Sequence, residues 1–549
     1  MARLMGQMMQ MPLMISSLLV HAARHFGDTE IVSKRTEGDI HRYTYKDAEL
    51  RARKLAQAFA RLGCEPGDRV GTLGWNGYRH FEIYYGTSGS QLVCHTVNPR
   101  LFPDQIAWIV NDAQDRVLCF DLTFLPLVEK LVPALGSVQH YVLMTDRAHM
   151  PASTSIPNLL CYEELVAAEN GEYVWPEFDE NCASSICYTS GTTGNPKGAV
   201  YSHRSTLLHA MGAAMPDAMG VSSADVILPV VPMFHVNAWG IPYACPMVGT
   251  KLVFPGPHLD GKSLFELFES EKVTFSAGVP TVWLGLITYM KQNGLKFSSF
   301  KRTVIGGSAC PPAMIRTLED EFGVQVIHAW GMTEMSPLGT LSRLKAKHYN
   351  LPVEKQRQIL EKQGKVIFGV DMCITGDDGE SLPWNGQTSG DLMVRGPWVI
   401  ERYFKQEGGS PLMEVDGRKW FPTGDVASID ADSFMHITDR SKDVIKSGGE
   451  WISSIDIENI AMAHPAVHEA AAIAARHPKW DERPLLVVVR KPGAQLTREE
   501  LLGFFEGRIA KWQIPDDVVF VEEIPHTATG KIQKLKLREQ FKTHPLPGV

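Results

Sequence analysis

The sequence predicts an α/β fold divided into more than one domain, with parallel sheets covered by helices. Three observations carry that expectation. The chain has 549 residues, 44% of them hydrophobic, enough for a large core and more than one domain. Between Ser17 and about residue 146, short β-rich runs alternate with segments of helical period, the order that lays helices on a parallel sheet. No short-period repeat is visible, which argues against a solenoid.

Composition narrows the function. A formal net charge of −8, from 54 basic and 62 acidic residues, argues against general nucleic-acid or anionic-membrane binding, so any phosphate site must be locally basic. Nine cysteines without a C-x-x-C pair or metal-ligand spacing read as reduced thiols of a cytoplasmic protein. The methionine-rich start has a single Arg, a break at Pro12 and no small-x-small cleavage site, so it reads as a segment that packs on the body or on a partner subunit. No uncharged apolar run reaches the roughly twenty residues of a membrane helix.

In order along the chain, residues 18–26 form an amphipathic helix, a strand lies near residues 30–33, and Ala48, Leu55, Ala56, Phe59 and Leu62 give helical spacing over 44–62. Residues 68–74 read as a strand. The buried-strand pattern Ser185-Ile186-Cys187-Tyr188 then runs into Thr189-Ser190-Gly191-Thr192-Thr193-Gly194-Asn195-Pro196-Lys197-Gly198. Here hydroxyl side chains alternate with glycines, so the backbone turns sharply and presents several N–H and O–H donors to one anion, with the Lys197 charge beside them. That is a polyphosphate cradle. A P-loop would need Gly where Pro196 stands and a helix after Lys197, whereas Gly198-Ala-Val-Tyr reads as another strand.

Beyond the cradle, Ser202 is placed to cap a helix starting at His203. Residues 230–240 read as an apolar strand interrupted by His235 and Asn237. Residues 274–283 give a strand and a helix start, and 303–308 a strand ending in Gly306-Gly307-Ser308, where a flat ring or a carboxylate can approach the backbone. A nucleophile elbow is not supported, since Cys310 and Ser90 stand where its second glycine belongs. Residues 353–363 form a charged surface helix. Three further strands precede Phe421-Pro-Thr-Gly-Asp425, and residues 438–453 read as a charged turn followed by a strand with a glycine bulge. About a hundred residues remain for an α+β unit with its own core.

The cradle resembles the signature of the acyl-adenylate-forming superfamily, which includes acyl-CoA synthetases, peptide-synthetase adenylation domains and firefly luciferase. Further motifs follow in that family's order: Trp330-Gly-Met-Thr-Glu334, with Trp where Tyr is common; the Thr423-Gly-Asp425 triplet; the junction 438–453; and Pro525-x-Thr-x-x-Gly530-Lys531-Ile.

The resemblance implies a large N-terminal domain of helix-covered sheets (1–439), holding ATP and the acyl pocket, and a small α+β C-terminal domain (440–549) joined by a hinge at Lys442. It implies ATP, Mg²⁺ and CoA as partners of a carboxylic acid. In the cradle, Thr189, Ser190, Gly191, Thr192, Thr193, Gly194 and Lys197 would hold phosphate. Gly307, Ser308, Ala329, Trp330, Gly331, Met332 and Thr333 would line the nucleotide site, with Trp330 stacking on adenine. Asp425 and Arg440 would bind the ribose, and Thr189 and Glu334 the metal.

For the acid, the resemblance implies His235, Trp239, Val279, Pro280, Gly306, Gly307 and Gly331, with His235 beside the carboxylate and Trp239 walling or gating the hydrocarbon channel. Lys446, Gly448, Gly449 and Trp451 would line the CoA channel, and Lys531 would be the catalytic lysine. The expected activity is an AMP-forming acyl-CoA synthetase for a medium- to long-chain fatty acid, with a homodimer through the N-terminal domain. A short-chain or 3-methylthiopropionate ligase, a carrier-protein-loading enzyme and a non-catalytic nucleotide-binding protein stay open as alternatives.

Overall fold

The structure, a computed structural model, describes residues 4–189, 195–376, 378–406, 409–447, 450–526 and 532–547, without the side chains of Gln406, Glu450 and Trp451. It divides into two compact units, one made of residues 1–276, 333–338 and 403–407 and the other of 277–332, 339–402 and 408–549.

The first unit contains a seven-stranded sheet. Its strands lie in the order Leu160–Cys161, His140–Met144, Asp115–Asp121, Arg69–Leu73, Val93–Thr96, Ala183–Tyr188 and Gly198–Ser202. All neighbours are parallel except the last pair, which is antiparallel. The crossovers that parallel pairing demands supply the helices predicted from sequence. Leu118, Phe120, Leu143 and Ile186 from this sheet pack with Ile106 and Val110 of the helix Pro103–Ala113. A second run in the same unit sets Val226–Pro229, Lys251–Phe254, Glu30–Lys34 and Ile40–Thr44 side by side, with only the last pair antiparallel.

Local chemistry explains where the helices begin. Thr44 caps Tyr45–Arg61 by accepting from the Asp47 amide, while Asp47 reaches back to the Thr44 amide, the reciprocal pair that satisfies two orphan donors. Ser202 caps His203–Ala214 as its sequence position predicts. The first helix, Ile15–His25, buries Ile15, Leu18, Leu19 and Ala22 on one face.

Two expectations are corrected. Packing of the methionine-rich start on the body holds only from Leu13 onward, where Leu13 donates to Glu180 at 2.8 Å and Ile15 to His203 at 3.2 Å; Leu4, Met5, Met8, Met9 and Met11 project into solvent. The apolar stretch 230–240 is not a strand: the ladder ends at Pro229, and the chain turns left-handed from Val236.

In the second unit, Arg302–Ile305 and Gln325–Gly331 pair in parallel. Asp371–Thr375, Ser389–Arg395, Arg418–Ile429 and Met413–Val415 form an antiparallel sheet, and Met435–Arg440 also pairs with Arg418–Ile429. A third sheet joins Glu450–Ile452, Ile445–Ser447, Asp481–Arg490 and Val467–His477, with Asp517–Phe520 parallel to Asp481–Arg490. Its central strands are covered on both faces: Leu486 and Val488 join one apolar cluster, Leu485 and Val487 the other. That double burial is why residues 485–489 read as an unbroken apolar run. Among the described residues, no helix is long and apolar enough to cross a membrane.

Candidate functional site

The cradle is assembled from the antiparallel pair Ala183–Tyr188 and Gly198–Ser202. Its base is closed twice: the Thr189 amide donates to the Lys197 carbonyl at 2.9 Å, and the Lys197 amide donates to Thr189 Oγ1 at 3.1 Å. Ser190, Gly191, Thr192, Thr193 and Gly194 lie outside the described residues. Gly198 is required by close approach, because a Cβ there would stand 2.9 Å from Ile186 Cδ1 and 3.0 Å from Phe404 Cβ.

Three groups gather beside this base. The exposed Lys197 ammonium lies 5.0 Å from the centre of the Tyr403 ring, a cation–π contact. The Tyr403 hydroxyl donates to Glu334 Oε1 at 2.8 Å, and Tyr201 donates to the Thr333 carbonyl at 2.6 Å. Burial first, and the Glu334 charge second, push the Tyr403 hydroxyl far above its ordinary range, so it stays a neutral donor. Glu334 is buried, and the Tyr403 hydroxyl engages one of its oxygens. A buried carboxylate of this kind is a hard-oxygen ligand that fits a magnesium ion carried by a polyphosphate.

The segment expected to meet the acid is held by Asn76. Its amide donates to the carbonyls of Pro229 and Val231 at 2.8 and 2.9 Å, and its oxygen accepts from the Met233 amide at 2.6 Å. His235 precedes a left-handed turn in which Val236, Asn237, Ala238 and Trp239 have φ between +47 and +57°, closed by Gly240 at +79°. Left-handed backbone costs about 1–2 kcal/mol at each non-glycine residue, so this turn stores roughly 4–8 kcal/mol against its surroundings. His235 and Trp239 are half-buried, whereas Asn237 and Ala238 are buried. Gly240 cannot carry a side chain, since its Cβ would lie 2.8 Å from the His209 imidazole. Burial pulls His209 down to about 3, and the neutral ring accepts from the Leu338 amide at 3.2 Å.

In the second unit, the strand Gln325–Gly331 delivers Trp330, whose indole N–H donates to Asp425 Oδ2 at 2.9 Å. Asp425 Oδ1 pairs with Arg440 Nε at 2.8 Å, the two residues standing opposite each other across an antiparallel ladder. Trp330, Asp425 and Arg440 are thus brought together. Gly306 is buried and donates to the Gly278 carbonyl at 3.4 Å, Gly307 and Ser308 are exposed, and Gly307 has φ +82°. Val279 precedes the helix Pro280–Gln292, with Pro280 buried at its start. Ala329 is buried and Gly331 and Met332 are half-buried.

Around the expected hinge, Lys442 is exposed in a turn where the amides of Asp443 and Val444 both donate to the Arg440 carbonyl, at 2.8 and 2.9 Å. Lys446 stands opposite Trp451 in a short hairpin and donates its amide to Glu482 at 2.8 Å. Gly448 and Gly449 lie outside the described residues, as does Lys531. The chain on either side of 527–531 is described: Gln533 donates to the Pro525 carbonyl at 2.7 Å, and Lys534 pairs with Glu458 at 2.7 Å.

Family models match over two ranges, one for the AMP-binding enzyme across residues 19–404 and one for the AMP-binding enzyme C-terminal domain across 456–531. The chain belongs to the AMP-binding enzyme family. Among its relatives, the 3-methylmercaptopropionyl-CoA ligase of Ruegeria lacuscaerulensis is 54% identical over 98% of this chain and 99% of that protein. The medium-chain-fatty-acid–CoA ligase of Ectopseudomonas oleovorans is 53% identical over 98% of both chains, and the long-chain-fatty-acid–CoA ligase of Thermus thermophilus is 45% identical over 98% and 97%. The fold matches the anthranilate CoA ligase AuaEII in complex with anthranoyl-AMP, with a TM-score of 0.84, 23% identity and coverage of 97% and 98%.

Sequence reasoning about this AMP-binding enzyme missed Tyr403 and Asn237 as working residues. Tyr403 sits 69 positions from Glu334, and nothing in Glu401-Arg-Tyr-Phe marks it as a partner. Asn237 did carry a signal: a polar amide inside an apolar run must be satisfied by buried partners.

Proposed function

We propose that this AMP-binding enzyme activates a medium- to long-chain fatty acid. The reaction class is that of its family, ATP-dependent and AMP-forming ligation of an acid to CoA. A carboxylate is a poor electrophile, so it first attacks the α-phosphorus of ATP, forming the acyl–phosphate bond and releasing pyrophosphate. The CoA thiolate then attacks the acyl carbon and AMP leaves.

The observation that carries the reading is the closed loop base at Thr189 and Lys197 with Glu334 and Tyr403 beside it. Ser190 to Gly194 and Lys197 would hold the triphosphate, with Lys531 neutralising charge that develops on the α-phosphoryl oxygens. Glu334 and Thr189 would hold Mg²⁺, which supplies positive charge to the phosphates when bound. Asp425 and Arg440 would position the ribose, and Trp330 and its neighbours from Gly307 to Thr333 the base. His235, Trp239, Val279, Pro280, Gly306, Gly307 and Gly331 would surround the acid. Lys446, Gly448, Gly449 and Trp451 would guide CoA after residues 440–549 turn as a mobile domain about Lys442.

The fatty-acid reading rests on identity to the medium- and long-chain ligases, and a second reading, 3-methylthiopropionate, rests on the 54% identity to the Ruegeria enzyme. An apolar pocket discriminates by only about 1–3 kcal/mol per methylene, so the test is a panel of acids of increasing chain length, including 3-methylthiopropionate, scored for CoA-dependent AMP release. A maximum at C6 to C16 supports the first reading, a maximum at methylthiopropionate the second, and ADP in place of AMP contradicts both. Transfer to a phosphopantetheine protein without CoA would instead indicate carrier loading. The exposed methionines at 5, 8, 9 and 11 support a homodimer through the N-terminal domain, which sedimentation tests, and the nine free thiols support a cytoplasmic setting.

A further inference from the structure

The turn 236–240 is the most unusual backbone among the described residues: four consecutive non-glycine residues in left-handed conformation, Val236 among them, followed by Gly240. Side chains tolerate that region singly, not in runs, so something must hold the run in place. The structure shows what does. Asn237 is buried and donates from Nδ2 to Ser185 Oγ at 2.9 Å, while its oxygen accepts from the Tyr84 hydroxyl at 3.3 Å and the Cys187 thiol at 3.5 Å. Burial pushes the Cys187 thiol up to about 11, so it keeps its proton. Ser185 and Cys187 are two apart on one face of the strand Ala183–Tyr188, which runs directly into Thr189.

We propose that Asn237 is a positioning residue for acid activation: it ties the turn that carries Trp239 to the strand that carries the phosphate loop, and so fixes the acid relative to the phosphorus. The inference rests on the reading of His235 and Trp239 as acid-facing. Two elements that must agree to within a fraction of an ångström for attack are thereby joined through one buried amide. The strain makes the joint directional, because a turn released from Asn237 relaxes away from left-handed geometry rather than fluctuating about it.

The test uses the full-length enzyme and the same acid panel. Asn237→Ala is expected to lower kcat/KM for the preferred acid by about ten- to a hundredfold and to flatten the chain-length profile, while KM for ATP stays at the wild-type value. Ser185→Ala should do the same in smaller measure. Adding Ala238→Gly to Asn237→Ala should recover part of the loss, since glycine takes a left-handed φ without steric cost. A variant with the wild-type acid profile overturns the proposal, as does equal loss toward acid and ATP, or a double variant that recovers nothing. Wild-type protein inactive toward every acid in the panel would instead overturn the fatty-acid reading itself.

Discussion

At the scale of single residues, the decisive chemistry is charge placed against developing charge. Lys531→Ala is expected to slow acyl-AMP formation by a few hundredfold, the equivalent of about 3–4 kcal/mol of lost electrostatic stabilisation. Thioester formation from supplied acyl-AMP should be spared, and single-turnover assays of the two halves check both statements. Asp121 offers a different test. Burial pushes its carboxyl up to about 7, although the Trp75 amide donates to it at 2.6 Å and opposes the shift. The folded state therefore holds this proton more tightly than the unfolded chain, whose value is about 3.9. The group's contribution to stability is complete below about pH 4 and is lost as pH rises through 7. Asp121→Asn keeps an acceptor for Trp75 without the charge, so its melting temperature should gain on wild type between pH 5 and pH 8, read by thermal unfolding at each pH. Lys531 lies outside the described residues, whereas Lys197, Glu334 and Asp425 were legible as candidates in the sequence because they stand in short motifs. Tyr403 was not, because its role exists only where the fold brings it to Glu334.

At the scale of elements, the helices and the parallel strands were legible because periodicity and capping are local properties. Thr44 and Ser202 cap helices by bonds that reach three residues. The stretch 230–240 was misread for the opposite reason: Val-Val-Pro-Met-Phe has β-forming character, but Asn76 captures the carbonyls of Pro229 and Val231 and ends the ladder. The hairpin that bears the cradle depends on one missing side chain. Gly198→Ala would force a methyl against Ile186, Phe404 and Tyr188 Cζ, the last at 3.2 Å, an overpacking that costs about 1–3 kcal/mol. A lowered melting temperature together with slower pyrophosphate release is the expected result; a variant that keeps both at wild-type values would show that the hairpin can yield at this point.

At the scale of the whole molecule, two half-reactions need different groups beside the same carbonyl, and a rotation of residues 440–549 about Lys442 would exchange them. Lys442→Pro should spare adenylation and block thioesterification, because a fixed φ would restrict the turn proposed as the hinge. Equal loss of both halves in stopped-flow assays would remove the hinge from the account. The amino-acid sequence by itself determined the α/β class and the order of the motifs, which are written in residue types and spacings within some ten positions. The adenylate-forming chemistry and ATP, CoA and a carboxylic acid as reactants came with the resemblance that those motifs carry to a known family. Only the tertiary structure decided that Trp330 donates to Asp425, that Tyr403 holds Glu334, and that residues 236–240 wind left-handed around Asn237. Each of these pairs groups far apart in the chain, or imposes a backbone that local preference opposes, and neither can be read before the chain has closed on itself.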